Sequence, residues 1–136
     1  MLSEIKYLFE PQTIVIIGAS GDSNKVGYKI LENIIKGGYK GKVFPVNLKG
    51  GEILGRKVFE NILKIEEEID LAIIVIPAVA VLEAVKECAK KKVKFLVIVS
   101  SGFSEADNGE EEKRIVDFAK ERGMRILGPN IFGIYS

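Results

Sequence analysis

A short apolar run leading into a small-residue loop constrains this chain more than any other feature. Residues 13–18, Thr13-Ile-Val-Ile-Ile-Gly18, run into Ala19-Ser20-Gly21-Asp22, then Lys25-Val26-Gly27 and a segment of helical period. An apolar run this short, without polar alternation, suits a strand covered on both faces. A strand that ends in Gly-Ala-Ser and turns into a helix gathers backbone N–H groups around one point. Those N–H groups and the helix dipole both favour negative charge there. The segment therefore predicts a site for a phosphate-bearing ligand.

The remaining residues repeat the alternation. Val26–Lys36 has helical spacing and stops at Gly37-Gly38. Residues 42–47 read as a second strand, Lys49-Gly50-Gly51 as a loop, and 61–68 as a short helix. Residues 70–76 form an apolar third strand ending at Pro77. A helix over 79–91, a strand over 95–99, a helix over 110–122 and a short strand over 125–127 follow, before Gly128-Pro129-Asn130. Apolar strands separated by helices predict an α/β fold, a Rossmann-like three-layer sandwich with a mostly parallel five-stranded sheet. The 136 residues suit a single domain, 1–136. Ligands in such sheets lie beyond the carboxyl ends of the strands, where the strand order reverses. The loops of interest are therefore 18–27, 47–51, 77–78, 100–105 and 128–130.

Composition narrows the chemistry. A net charge of +1 with no basic run gives no case for a nucleic-acid partner. No apolar stretch has transmembrane length and no signal-peptide layout is present, so the expected compartment is the cytoplasm. Histidine is absent, which removes the commonest general base and metal ligand. Cys88 is the only cysteine and lies among Ala84, Val85 and Ala89, so it reads as a buried structural thiol. Glu66-Glu67-Glu68 and Glu110-Glu111-Glu112 read as solvated faces, the second also suited to a helix N-terminus. No residue is assigned a catalytic role and no metal site is expected. A homo-oligomer is compatible with the exposed strand-end loops, but no residue pattern marks an interface.

The identity of the ligand turns on the second strand. A dinucleotide fold carries G-x-G-x-x-G and an acidic residue at that strand's end. Here Ser20 and Ser23 replace the second and third glycines, and the strand ends in Asn47 with Lys49 close by. A lysine there suits an extra phosphate on the ribose, as in NADP or coenzyme A. An NADP-dependent oxidoreductase domain is thus one reading, opposed by the missing second glycine.

Several segments, in order and at similar spacing, carry a family resemblance. They are Ile16-Ile-Gly18-Ala-Ser20, Lys25-Val-Gly27, Gly38-Tyr-Lys-Gly-Lys-Val-Phe-Pro-Val-Asn47, Asp70-Leu-Ala-Ile-Ile-Val-Ile-Pro77, Ser101-Gly102-Phe103-Ser104-Glu105 and Gly128-Pro129-Asn130. Together they resemble the N-terminal CoA-binding domain of NDP-forming acyl-CoA synthetases, in particular the alpha part of ADP-forming acetate–CoA ligase, and more distantly the alpha subunit of succinyl-CoA synthetase. The resemblance implies coenzyme A as cofactor. It implies that Gly18, Ala19, Ser20, Lys25 and Val26 meet the CoA phosphates or pantetheine, and that Lys49 meets the nucleotide phosphate. Pro77 and Ala78 would line the adenine or pantetheine path. Ser100, Ser101 and Gly102 would face the cofactor, and Asn130 would lie near the thiol. Asn47 is open between holding its own loop and touching the ligand, and Gly27 reads as packing helix against strand. Two departures are Leu48, where the family usually has Pro, and Ile131, where Cys is common.

Family enzymes also use a second domain carrying a phosphorylated histidine and a nucleotide-grasp region. The expectation is therefore a CoA-binding domain or subunit of an ADP-forming acyl-CoA synthetase that is inactive alone. A stand-alone CoA-binding or acyl-CoA-sensing module is the alternative.

Overall fold

The computed structural model describes residues 11–99 and 108–127. Five strands form one parallel sheet: β1 (Thr13–Ile17), β2 (Lys42–Val46), β5 (Leu71–Ile74), β6 (Phe95–Ile98) and β7 (Arg125–Leu127), in the order β2-β1-β5-β6-β7. Three helices connect them: α1 (Val26–Lys36), α2 (Ala78–Lys91) and α3 (Asn108–Glu121). This is the Rossmann-like α/β sandwich expected from the sequence.

Every residue of β1 is buried, because β1 lies inside the sheet with packed layers on both sides. Its side chains alternate between two cores. Ile14 and Ile16 face Leu31 and the apolar side of α1. Val15 and Ile17 face Val81, Val85 and Cys88 of α2 and Ile115 and Ala119 of α3. Ile16 and Leu31 are fully buried; each such side chain contributes roughly 1.5–3 kcal/mol relative to exposure. The strand order reverses between β1 and β5, so the crevice lies beyond their carboxyl ends.

The observed elements depart from the sequence reading in two places. First, residues 52–57, to which the sequence reading assigns no element, form an antiparallel hairpin of β3 (Glu52–Ile53) and β4 (Arg56–Lys57). Its two turn residues, Leu54 and Gly55, both have positive φ, 50° and 80°. That is the backbone of a type I′ hairpin turn, usually announced by Asn-Gly; leucine in the first place hides it. Second, the helix expected over 61–68 is only a 3-10 turn, Ile62–Lys64. The Asn61 side chain caps that turn, accepting from the Leu63 amide at 2.8 Å. Ile65 is then extended, at φ −85° and ψ 125°. Ile62, Ile65 and Ile69 are all buried, so the apolar spacing reflects an irregular segment lying on the core. In the glutamate run, Glu67 accepts from Lys42 Nζ at 2.8 Å, and this bond holds its carboxyl below the ordinary range. Strand and helix ends shift by one or two residues: β1 and β5 stop at Ile17 and Ile74, and α2 and α3 start at Ala78 and Asn108.

Among the described residues, no helix is long and apolar enough to cross a membrane, and no group of three or more Asp, Glu or Cys side chains could hold a metal ion.

Candidate functional site

The switch-point crevice is built on glycine. Gly18 ends β1 at φ +98°, a conformation L side chains rarely adopt. A Cβ there would lie 2.0 Å from the backbone oxygen of Val75, just past β5. Gly18 N–H and Ala19 N–H both donate to Val46 O, at 2.9 and 3.2 Å. The loop is thus stitched to the end of β2 while its backbone passes close over β5.

The next residues turn on themselves. Ser20 Oγ accepts from Asp22 N at 3.0 Å, Asp22 Oδ1 accepts from Asn24 N at 2.9 Å, and Asp22 O accepts from Lys25 N at 2.9 Å. Gly21 is exposed, and a Cβ on it would meet nothing within 4 Å. α1 then begins at Val26. Lys25, its N-cap residue, makes no side-chain capping bond, and no acidic residue lies in the first turn. A helix start without a side-chain acceptor or a carboxylate leaves its N–H groups and dipole to an external anion. Gly27, the second residue of α1, is buried, and a Cβ there would lie 2.2 Å from Gly18 O. Gly27 therefore serves close helix–strand packing, as its sequence position indicated.

The turn after β2 carries Lys49. Asn47 Oδ1 accepts from Lys49 N at 2.8 Å and from Gly50 N at 2.9 Å. Its Nδ2 donates to Ala19 O at 3.0 Å, and its backbone N–H donates to Phe59 O at 3.0 Å. The Asn47 side chain is thus engaged with backbone on both sides. Gly50 and Gly51 adopt positive φ, 67° and 89°, turning the chain into β3. Lys49 is exposed, and among the described residues no carboxylate pairs with its ammonium. Glu60 borders this turn: its Oε2 would lie 3.3 Å from a Cβ on Gly50.

Apolar surface rims the same edge. Val26, Leu48 and Val79 are 53%, 91% and 90% exposed, and they sit at the starts of α1 and α2 and just past β2. Pro77 is exposed and Ala78 half-buried. This apolar rim lies on the same edge of the sheet as the 18–27 loop and Lys49. The opposite edge of the sheet has a shallow depression lined by Pro11, Gln12, Thr13, Tyr39, Lys40, Gly41 and Lys42. It lies at the amino ends of β1 and β2, away from the switch point.

Of the residues singled out in the sequence, Gly18, Ala19, Ser20, Lys25, Val26, Asn47, Lys49, Pro77 and Ala78 all lie at this carboxyl-end edge. Ser100, Ser101, Gly102 and Asn130 lie outside the described residues. The bond between Asn47 and Ala19 has no local signal in the sequence, because those residues are 28 positions apart. The exposed Val79 was also missed, since a valine opening a helix reads as core.

Known proteins share this arrangement. Residues 12–136 match the CoA binding domain family. The alpha subunit of acetate–CoA ligase [ADP-forming] I from Pyrococcus furiosus is 49% identical over 138 residues, covering 96% of this chain and 29% of that subunit. The acetate–CoA ligase [ADP-forming] of Methanocaldococcus jannaschii is 45% identical, covering 96% of this chain and 18% of its own length. Among solved structures, the apo form of Candidatus Korarchaeum cryptofilum dinucleotide forming acetyl-coenzyme A synthetase 1 superposes with a TM-score of 0.89 at 41% identity, over 94% of this chain and 28% of that one. The chain therefore spans less than a third of the length of these relatives. By the match over residues 12–136, the chain belongs to the CoA binding domain family.

Proposed function

We propose that the chain is the CoA-binding part of an ADP-forming acyl-CoA synthetase, and that it holds coenzyme A across the crevice between β1 and β5. The 18–27 loop and the start of α1 receive the diphosphate. Lys49 receives the 3′-phosphate of the ribose. Val26, Leu48 and Val79 border the adenine and pantetheine. In this role the domain presents the CoA thiol to an acyl group activated elsewhere. Its own residues bind and orient the cofactor.

The observation that carries the reading is the convergence at one sheet edge of three elements suited to a doubly phosphorylated ligand. They are a glycine turn stitched to β2, a helix start without a side-chain cap or acidic first turn, and a lysine two residues past Asn47 that pairs with no carboxylate among the described residues. Family membership and the 49% identity to an acetate–CoA ligase alpha subunit support CoA as the ligand and ligase as the context. The 136 residues contain no histidine, so a phosphohistidine relay draws on residues outside them.

Calorimetric titration of CoA and dephospho-CoA into wild type and Lys49→Ala tests the assignment. A charge-assisted phosphate contact at an exposed site is worth about 1–2 kcal/mol. CoA should bind wild type about tenfold more tightly than dephospho-CoA, and Lys49→Ala should bind both alike. Equal affinity of wild type for the two ligands removes Lys49 from the 3′-phosphate.

A further inference from the structure

We infer that Asn47 is the positioning residue that gives this site its preference for the 3′-phosphate, by tying the Lys49 turn to the 18–27 loop without itself meeting the ligand. The inference rests on the proposed function, in which those two segments take the two phosphate groups of one ligand.

The geometry points to this role. A flexible, exposed lysine adds selectivity for a phosphate only if its stem starts from a fixed place relative to the rest of the site. Asn47 supplies that place. Its Oδ1 accepts from both Lys49 N and Gly50 N, so the backbone that carries Lys49 is closed into a turn on one oxygen. Its Nδ2 donates to Ala19 O, in the loop assigned to the diphosphate. One planar amide thus links the two anion-binding segments. Three of its hydrogen-bonding places are spent on backbone, which leaves a single Nδ2 hydrogen.

Among the described residues, no other side-chain hydrogen bond joins these two segments. Backbone bonds from Gly18 and Ala19 reach Val46, one residue before Asn47, and so hold the loop to the strand but not to the lysine turn. Gly50 and Gly51 leave that turn with the least intrinsic stiffness on its far side. Without the amide, β2 would keep its register and the loop its attachment, while the direction of the Lys49 stem would be free.

Substitutions at residue 47 separate this role from a structural one. Asn47→Ala removes both halves of the link. Asn47→Ser keeps a hydroxyl able to accept from the amide two residues on, as Ser20 does from Asp22 N in this same chain, but it is too short to reach Ala19 O. The readout is the ratio of dephospho-CoA to CoA dissociation constants for wild type, Asn47→Ala, Asn47→Ser, Lys49→Ala and the double variant Asn47→Ala with Lys49→Ala, each checked for native circular dichroism.

With a wild-type ratio of about ten, Asn47→Ala should lower it to two or less, as ~0.4 kcal/mol, although Lys49 is present. Asn47→Ser should fall between, and the double variant should match Lys49→Ala. Dephospho-CoA affinity should change less than about threefold throughout. A ratio in Asn47→Ala equal to that of wild type overturns the inference and leaves the proposed function standing. So does an equal loss of affinity for both ligands, which would mark a merely structural residue. If Asn47→Ala does not fold, a wild-type ratio in Asn47→Ser overturns it. A wild-type ratio of one overturns the assignment of Lys49 and this inference with it.

Discussion

Gly18 and Gly27 stand face to face: a Cβ on Gly27 would lie 2.2 Å from the carbonyl oxygen of Gly18. α1, whose N-terminus we propose for the diphosphate, is therefore in direct contact with the turn that ends β1. Substituting Gly27 by Ala drives a methyl into backbone, which cannot rotate away. Gly18→Ala meets the backbone oxygen of Val75 at 2.0 Å and keeps an unfavourable φ of +98°. Each variant should lose about 3 kcal/mol or more, read as a lower urea midpoint. A midpoint within error of wild type would mean that α1 can slide off β1 freely.

Gly21 separates ligand contact from packing. Its φ is ordinary and a Cβ would meet nothing within 4 Å. Gly21→Ala should leave stability within about 0.5 kcal/mol of wild type. If the 18–27 loop lies against the CoA diphosphate, the added methyl should weaken CoA binding about tenfold. Unchanged affinity would move the diphosphate away from Gly21.

Much of this was legible in the sequence, and the parts that were not share a cause. β1 and α1 could be read because an apolar run and a 3.6-residue period are local signals. Gly27 could be read as a packing glycine because the strand–loop–helix order places it against the turn. The 52–57 hairpin was hidden because Leu54, at φ +50°, occupies a place where asparagine or glycine usually signals the turn. The 61–68 segment misled because Ile62, Ile65 and Ile69 keep helical spacing while following an irregular path over the core. Asn47 stayed open between two roles because its partner Ala19 lies on another strand's loop. Nothing local to Asn47 distinguishes an amide that binds backbone from one that waits for a ligand.

Cys88 is fully buried on the inner face of α2, and burial pushes its thiol well above the ordinary range. The unfolded thiol ionises near pH 8.5. The folded state keeps its proton, so stability from this site is complete below that pH and falls as pH rises above it. Between pH 7 and pH 10, wild type should lose about 2 kcal/mol more stability than Cys88→Ala. Urea unfolding at the two pH values measures the difference. Thiol reagents at pH 8 should leave the native chain unmodified and label it once after denaturation; rapid native labelling would place Cys88 at the surface.

Lys92 caps α2 in the left-handed region, at φ 61° and ψ 40°. Its N–H donates to Ala89 O and the next residue, Val93, donates to Cys88 O, both at 3.0 Å. Glycine is the residue this cap favours. Lys92→Gly should raise stability by ~1 kcal/mol, seen as a higher melting temperature with CoA affinity unchanged. A lower melting temperature would mean that the lysine stem contributes packing at the end of α2.

On the proposed function, the β1–β5 crevice holds coenzyme A and not a dinucleotide. Both ligands offer a diphosphate and an extra ribose phosphate, so direct competition on the wild-type chain decides between them. Calorimetric titration with CoA should show one site per chain, and a tenfold excess of NADP should leave that isotherm unchanged. Binding of NADP with no response to CoA would contradict the claim and assign the crevice to a nicotinamide cofactor.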